Sequence, residues 1–311
     1  MHAWGRLLRL SLAPSAMADI ACGVVLGAGA WPGGFGPFAL ILASLCVYHG
    51  GMALNDWADR AEDARLRPDR PIPSGTIKAR TALLVALALL TVGPLIAWRA
   101  YPSSSTALVL LAASVAAALY DVAGRGPWRG PLLLASCRLL NLQAGLVAGR
   151  AALAGGNEPE SSTVFSALAL LPFLYAAYVF VVSRLGRLED AEDDLELDNT
   201  PSTLLGMAAA LLAAVPVPGL VDRASERPLA GALSGGIALA GAYGLGRAAL
   251  RRSPWTRGDV LRSMGLALRR LIVFTAAAAA LAPAPAGPTV AVVILCGFPL
   301  SFALRRVFPP S

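Results

Sequence analysis

The sequence predicts an all-α integral membrane protein of nine or ten membrane-crossing helices, and three observations carry that prediction. Of its 311 residues 56% are hydrophobic and only 14% charged, where a soluble domain carries about 25% charged residues. The apolar residues come in continuous blocks of about 17–22, the length a helix needs to cross about 30 Å of hydrocarbon. Inside lipid the backbone must satisfy its own hydrogen bonds, so such blocks are helices; alternating short runs, the mark of an outer-membrane barrel, are absent.

The expected spans are residues 16–32, 36–54, 80–99, 104–121, 131–150, 162–183, 202–221, 229–250, 268–285 and 287–304. The first reads as a retained span rather than a removed signal. The last two flank a Pro- and Gly-rich hinge, Pro283 to Pro288, and read as a re-entrant pair or one broken span. The chain as a whole, 1–311, reads as one polytopic domain. With the N-terminus in the cytoplasm, roughly twenty-one basic residues fall on the inside and about four outside, as the bias of Arg and Lys towards cytoplasmic loops requires. The formal charge of +7 is almost all arginine, placed at helix ends. That excludes a concentrated nucleic-acid-binding face and points to headgroups and orientation. Cys22, Cys46, Cys137 and Cys296 show no metal-binding spacing and read as small buried apolar residues.

Two of the inner loops are acidic, which orientation does not require. Residues 54–75 read LNDWADRAEDARLRPDRPIPSG. Asp56, Asp59 and Asp63 stand at offsets 0, 3 and 7, one face of a helix. Carboxylates in line repel one another unless a cation sits among them. Mg²⁺ takes oxygen ligands from one or two carboxylates plus substrate phosphates. Arg65, Arg67 and Arg70 follow, of the residue type suited to bidentate phosphate contacts, while Pro68, Pro71 and Pro73 stop the helix and stiffen the loop. The end of a membrane helix carrying these groups suits a diphosphate whose lipid tail lies in the bilayer.

This stretch resembles the signature of the UbiA superfamily of intramembrane prenyltransferases, N-D-x-x-D-x-x-x-D followed by R-P-x-R-P-x-P-S-G. The resemblance implies helices ringed around a central cavity, Mg²⁺ as cofactor, and a prenyl diphosphate donor with a small acceptor. It implies Mg²⁺ on Asp56, Asp59 and Asp63, supported by Asn55, with Arg67 and Arg70 contacting the diphosphate or ordering the loop. The second loop, RLGRLEDAEDDLELDNTPSTLLG from Arg184, resembles the family's second motif. Asp190 and Asp194 match its two aspartates as a second Mg²⁺ pair. Asp193 and Asp198 stand where the family has Gly, Val182 and Gly186 where it has Tyr and Lys, so Arg184 or Arg187 is left to supply the basic charge.

Polar residues inside spans complete the candidates. Asp19 enters the first span; Tyr120 and Asp121 end the fourth; Arg138 and Asn141 lie one turn apart in the fifth. A charged group at membrane depth faces a cavity or a partner. Arg138 therefore reads as a diphosphate ligand or as the partner of Asp121 or Asp19. Asp19, Tyr120, Asp121 and Asn141 are candidate pocket or acceptor groups. The wording of the first motif and of GPLLLASCRLLN also resembles the EboC-like branch of the superfamily. Within the same fold, a terpene cyclase or phosphoribosyl-lipid synthase is the alternative; outside it, a non-catalytic anion-binding protein or transporter.

Overall fold

A computed structural model describes residues 2–102, 104–124, 126–153, 167–190, 199–223, 228–251 and 254–308. Thirteen α-helices fall within them: α1 (His2–Leu7), α2 (Ala13–Ala28), α3 (Gly36–Ala58), α4 (Arg60–Leu66), α5 (Ala79–Ala100), α6 (Thr106–Ala123), α7 (Arg129–Leu153), α8 (Leu171–Gly186), α9 (Thr200–Ala213), α10 (Val217–Arg223), α11 (Pro228–Ala249), α12 (Arg257–Ala279) and α13 (Ala286–Val307). Among the described residues nine stretches are long and apolar enough to cross a membrane, with α9 and α10 counted as one span broken after Ala213. The protein is a multi-pass membrane protein.

The long helices form a ring. In chain order α3, α5, α6, α7, α8, α9, α11, α12 and α13 each pack on the next, and α13 returns to α2, which also touches α3. Helix α2 crosses the ring to lie along α7. One face of α2, with Ile20 and Val24, closes an apolar core with α3, α5, α6 and α7; the opposite face, with Ala18, Cys22 and Val25, closes a second core with α8, α9, α11, α12 and α13. Glycine makes this seam possible. A methyl group on Gly145 of α7 would stand 2.6 Å from the Ile20 carbonyl of α2. Small residues let membrane helices approach to backbone contact, where dispersion and weak polar contacts replace the missing hydrophobic drive. On the rim, α5 and α6 turn Leu84, Leu95, Trp98, Leu108 and Val115 outward, as a lipid-facing surface requires.

The hinge at Pro283–Pro288 separates two full helices, α12 and α13, packed against each other. The ninth expected span began at residue 268; the helix begins eleven residues earlier. The stretch from Arg257 to Arg270 carries Arg257, Asp259, Arg262, Arg269 and Arg270, so α12 is not among the nine apolar spans. The remainder, Leu271 to Ala279, is buried inside the ring. Cys22 is buried as expected; Cys46 and Cys137 are half-buried; Cys296, expected to be buried, is exposed on α13.

The start of α12 is held by charge. Thr256 caps the helix, its hydroxyl accepting from the Asp259 amide and its own amide donating to the Asp259 carboxylate. Arg251 also donates to Asp259 at 2.6 Å. The Thr256 hydroxyl, working against desolvation, and then the Arg262 guanidinium hold the Asp259 carboxyl down to about 2, against 3.8 for a free aspartate. A carboxyl depressed in the folded state stabilises it above the unfolded value and loses that contribution as protons return. Asp259→Ala should therefore cost ~1 kcal/mol near neutral pH. The gap in melting temperature between the two proteins should shrink as pH falls from about 4 towards about 2. A gap independent of pH would show that the carboxylate's charge is not what holds the helix start.

Candidate active site

The first acidic motif sits where α3 ends. Helix α3 stops at Ala58, Asp59 closes its last turn, and α4 restarts at Arg60. The three aspartates consequently do not share one continuous helix face, as their spacing had suggested. Asp56 Oδ1 accepts from Arg9 Nη2 at 3.1 Å, and Arg70 Nη1 lies 3.7 Å away. The same Arg70 nitrogen donates to Asp63 Oδ2 at 2.7 Å. Asp56, Asp63 and Arg70 are all buried. Asn55 donates to Asp59 at 2.8 Å. Arg70 thus orders the proline loop from within, wedged between two carboxylates, whereas Arg67 is exposed. Among the described residues no three acidic, cysteine or histidine side chains converge on one point. The second aspartate pair cannot be placed: Asp194 lies outside the described residues, and Asp190 ends a short 3-10 turn, Arg187–Asp190, with its side chain outside them.

Two features nonetheless suit a divalent cation. Asp56 Oδ2 and Asp121 Oδ2 are buried and accept no hydrogen bond. A buried carboxylate oxygen without a donor costs about 1–3 kcal/mol or more, which a cation would offset. Asp121, in the last turn of α6, feels the charges of Asp59 and Asp56, so the two orphaned oxygens belong to one electrostatic neighbourhood. Tyr120 beside it feels Arg187, whose guanidinium donates to the Gly124 carbonyl at 3.2 Å. Arg184 donates to the Pro127 carbonyl and stacks on Trp128, 4.2 Å from the ring centre. The end of α8 is therefore fastened to the α6–α7 connection by two arginines, either of which the motif comparison allowed as the basic residue.

Below these groups an open cavity runs between α3, α6 and α7. Tyr120, Asp121, Tyr48, Arg138 and Asn141 supply its polar lining, and Val47, Met52, Ala113, Ala117 and Leu134 its apolar walls. The floor is a hydrogen-bonded network centred on Asp19, which is fully buried. Asp19 Oδ2 accepts from Arg138 Nη1 at 2.7 Å and from Asn141 Nδ2 at 3.0 Å; Oδ1 accepts from the Tyr175 hydroxyl at 2.7 Å. Arg138 Nη2 donates to Ser15 at 2.7 Å, and Ser44 donates to Asn141 Oδ1 at 2.7 Å. Arg138, expected on the diphosphate, is thus the counterion of Asp19, the second of the partners its position allowed, while its edge still faces the cavity. Asp19 and Asn141, expected as acceptor groups, hold Arg138 in place. Arg9, Tyr48 and Tyr175 were not singled out from sequence. Only Arg9 carried a signal, a basic residue just ahead of the first span.

The family model described as the UbiA prenyltransferase family matches residues 16–257. The chain belongs to this family. The UbiA-family chain is 38% identical over 123 residues to the bacteriochlorophyll synthase 33 kDa chain of Cereibacter sphaeroides, covering 37% of itself and 40% of that protein. It is 35% identical over 162 residues to the digeranylgeranylglyceryl phosphate synthase of Methanothrix thermoacetophila, covering 50% and 52%. The aligned stretches thus span about half, or less, of these curated relatives. Among solved structures, that of a digeranylgeranylglyceryl phosphate synthase superposes with a TM-score of 0.59 at 16% identity, covering 89% of this chain and 97% of the other. A UbiA homologue from Archaeoglobus fulgidus bound to DMAPP and Mg²⁺ gives 0.54 at 16% identity, covering 88% and 98%. At such identity the likeness establishes the UbiA fold.

Proposed function

We propose that this UbiA-family protein transfers a prenyl group from a prenyl diphosphate to a small acceptor within the membrane, with Mg²⁺ as cofactor and with its N-terminus and both acidic loops in the cytoplasm. The observation that carries the reading is the pair of donorless, buried oxygens on Asp56 and Asp121, the second of which lines a largely apolar cavity.

Asp56, Asp59 and Asp121, with Asp190 and Asp194, are the residues that would hold Mg²⁺. The ion, when bound, neutralises charge on the diphosphate leaving group. Asn55 orients Asp59 through its amide. Asp63 acts through Arg70, which it fixes beside Asp56, and is a positioning residue. Arg67 and Arg187 would donate hydrogen bonds to the diphosphate. The apolar walls take the prenyl tail and keep water from the carbon that ionises, so that the acceptor is alkylated instead. Tyr48 and Tyr120 line the same cavity, and aromatic ring faces stabilise cations.

The purified full chain in liposomes, given isotopically labelled GPP, Mg²⁺ and a membrane lipid extract, should release diphosphate and form a labelled prenylated product. Chelation of divalent cations should lower both by at least a hundredfold, and Mg²⁺ should restore them. Diphosphate release accompanied only by labelled hydrocarbon would make the protein a cyclase. No release with any prenyl diphosphate would leave an anion-binding protein.

A further inference from the structure

A second open cavity lies between the start of α2, α8, α12 and α13, and shares Tyr48, Met52, Leu134 and Arg138 with the first. Its charged lining has a single sign. Arg9, Arg138, Arg269 and Arg305 face it, with the hydroxyl residues Ser11, Ser15, Ser183 and Ser301, and among the described residues no carboxylate does. Arg9 and Arg138 are committed to Asp56 and Asp19. Arg269 and Arg305 have no acidic partner among the described residues. Arg269 lies over the Phe302 ring at 5.6 Å and is repelled by Arg305 and Arg270. Like charges gathered at a half-buried apolar wall are costly unless an anion joins them. Both residues lie beyond residue 257, where the match to the family model ends.

We propose that this compartment seats the head of the acceptor, and that the acceptor is an anionic amphiphile whose phosphate or carboxylate is held between Arg269 and Arg305. The planar guanidinium fork suits an oxyanion with two or more oxygens, and Ser183 offers a further hydroxyl donor. Leu268, Leu271, Ile272 and Val179 supply an apolar wall for its chain. The shared wall at Tyr48 and Met52 brings the acceptor's nucleophile towards the first cavity. There its bond to C1 of the prenyl group forms as the C1–O bond to diphosphate breaks. The diphosphate leaves with that electron pair, and the nucleophile's proton passes to it or to water. The assignment rests on reading the first cavity as the donor's.

Calorimetric titration of the full chain in neutral detergent, with octyl phosphate, octanol and GPP–Mg²⁺ as separate probes, tests it. Octyl phosphate should bind at least tenfold tighter than octanol. In R269Q/R305Q that preference should fall below threefold, while GPP–Mg²⁺ binding stays within twofold; R269K/R305K should keep most of it. Equal binding of octyl phosphate and octanol to the unaltered protein overturns the proposal, and does so even if the glutamine variant fails to fold. A parallel loss of GPP binding in a variant that still elutes as a single species also overturns it, since the arginines would then serve the donor. So does complete displacement of octyl phosphate by a little phosphatidylglycerol, which would mark a bilayer-lipid site. Failure of the donor reading appears separately, as no Mg²⁺-dependent GPP binding in the unaltered protein.

Discussion

Asp56→Asn should lower prenyl transfer by about a thousandfold, equivalent to ~4 kcal/mol of transition-state stabilisation, with little change in melting temperature. The amide keeps the side chain's size and one oxygen for Arg9 and Arg70, which meet Asp56 at 3.1 and 3.7 Å. It removes the negative charge and the donorless Oδ2 that make the residue fit a cation. The Mg²⁺ concentration at half-maximal rate should rise alongside the loss. Asp63→Asn should cost less in rate, because Asp63 meets Arg70 rather than the cavity. Unchanged turnover in Asp56→Asn would sink the assignment of the first motif to the metal. Equal losses at both positions would show that loop order, not charge at Asp56, limits the rate.

Asp19→Ala should destabilise the fold by about 3–5 kcal/mol, because it strands the Arg138 guanidinium in the apolar interior. Asp19 is 0% exposed and takes hydrogen bonds from Arg138, Asn141 and Tyr175, so three donors from two helices lose their acceptor at once. Unfolding in detergent followed by the intrinsic fluorescence of the protein measures the cost. Asp19→Leu combined with Arg138→Met should recover most of it, since an apolar pair of similar volume is often as stable as a buried ion pair. If the double change were as damaging as the two single changes summed, the pair would not be coupled and the network would have to be redrawn. The recovered protein should still turn over poorly, because Arg138 faces both cavities.

Much of this was legible in the chain. Hydropathy and length located the spans to within a few residues for α3, α5 and α11, because lipid imposes its length on each helix separately. The spacing of Asp56, Asp59 and Asp63 marked the site, and the prolines after it marked the end of the helix. Other readings went astray for physical reasons. The helical wheel assumed an unbroken helix through Asp59, but α3 ends there. Hydropathy placed the ninth span at residue 268 because it does not recognise the Thr256–Asp259 cap that starts α12 among charged residues. Cys296 was expected to be buried because an apolar neighbourhood in sequence does not say whether protein or lipid covers it.

What the sequence by itself determined is local: which segments cross the membrane, which loop carries carboxylates, and that a charge at Asp19 or Arg138 needs a partner. Which partner it finds was decided by the packing of α2 on α7, where glycine lets the two backbones touch. Arg138 could have met Asp121, seventeen positions away, or Asp19, one hundred and nineteen away. Sequence distance says nothing about the choice, because the cost of leaving an ion unpaired in an apolar interior is settled only where the helices cross.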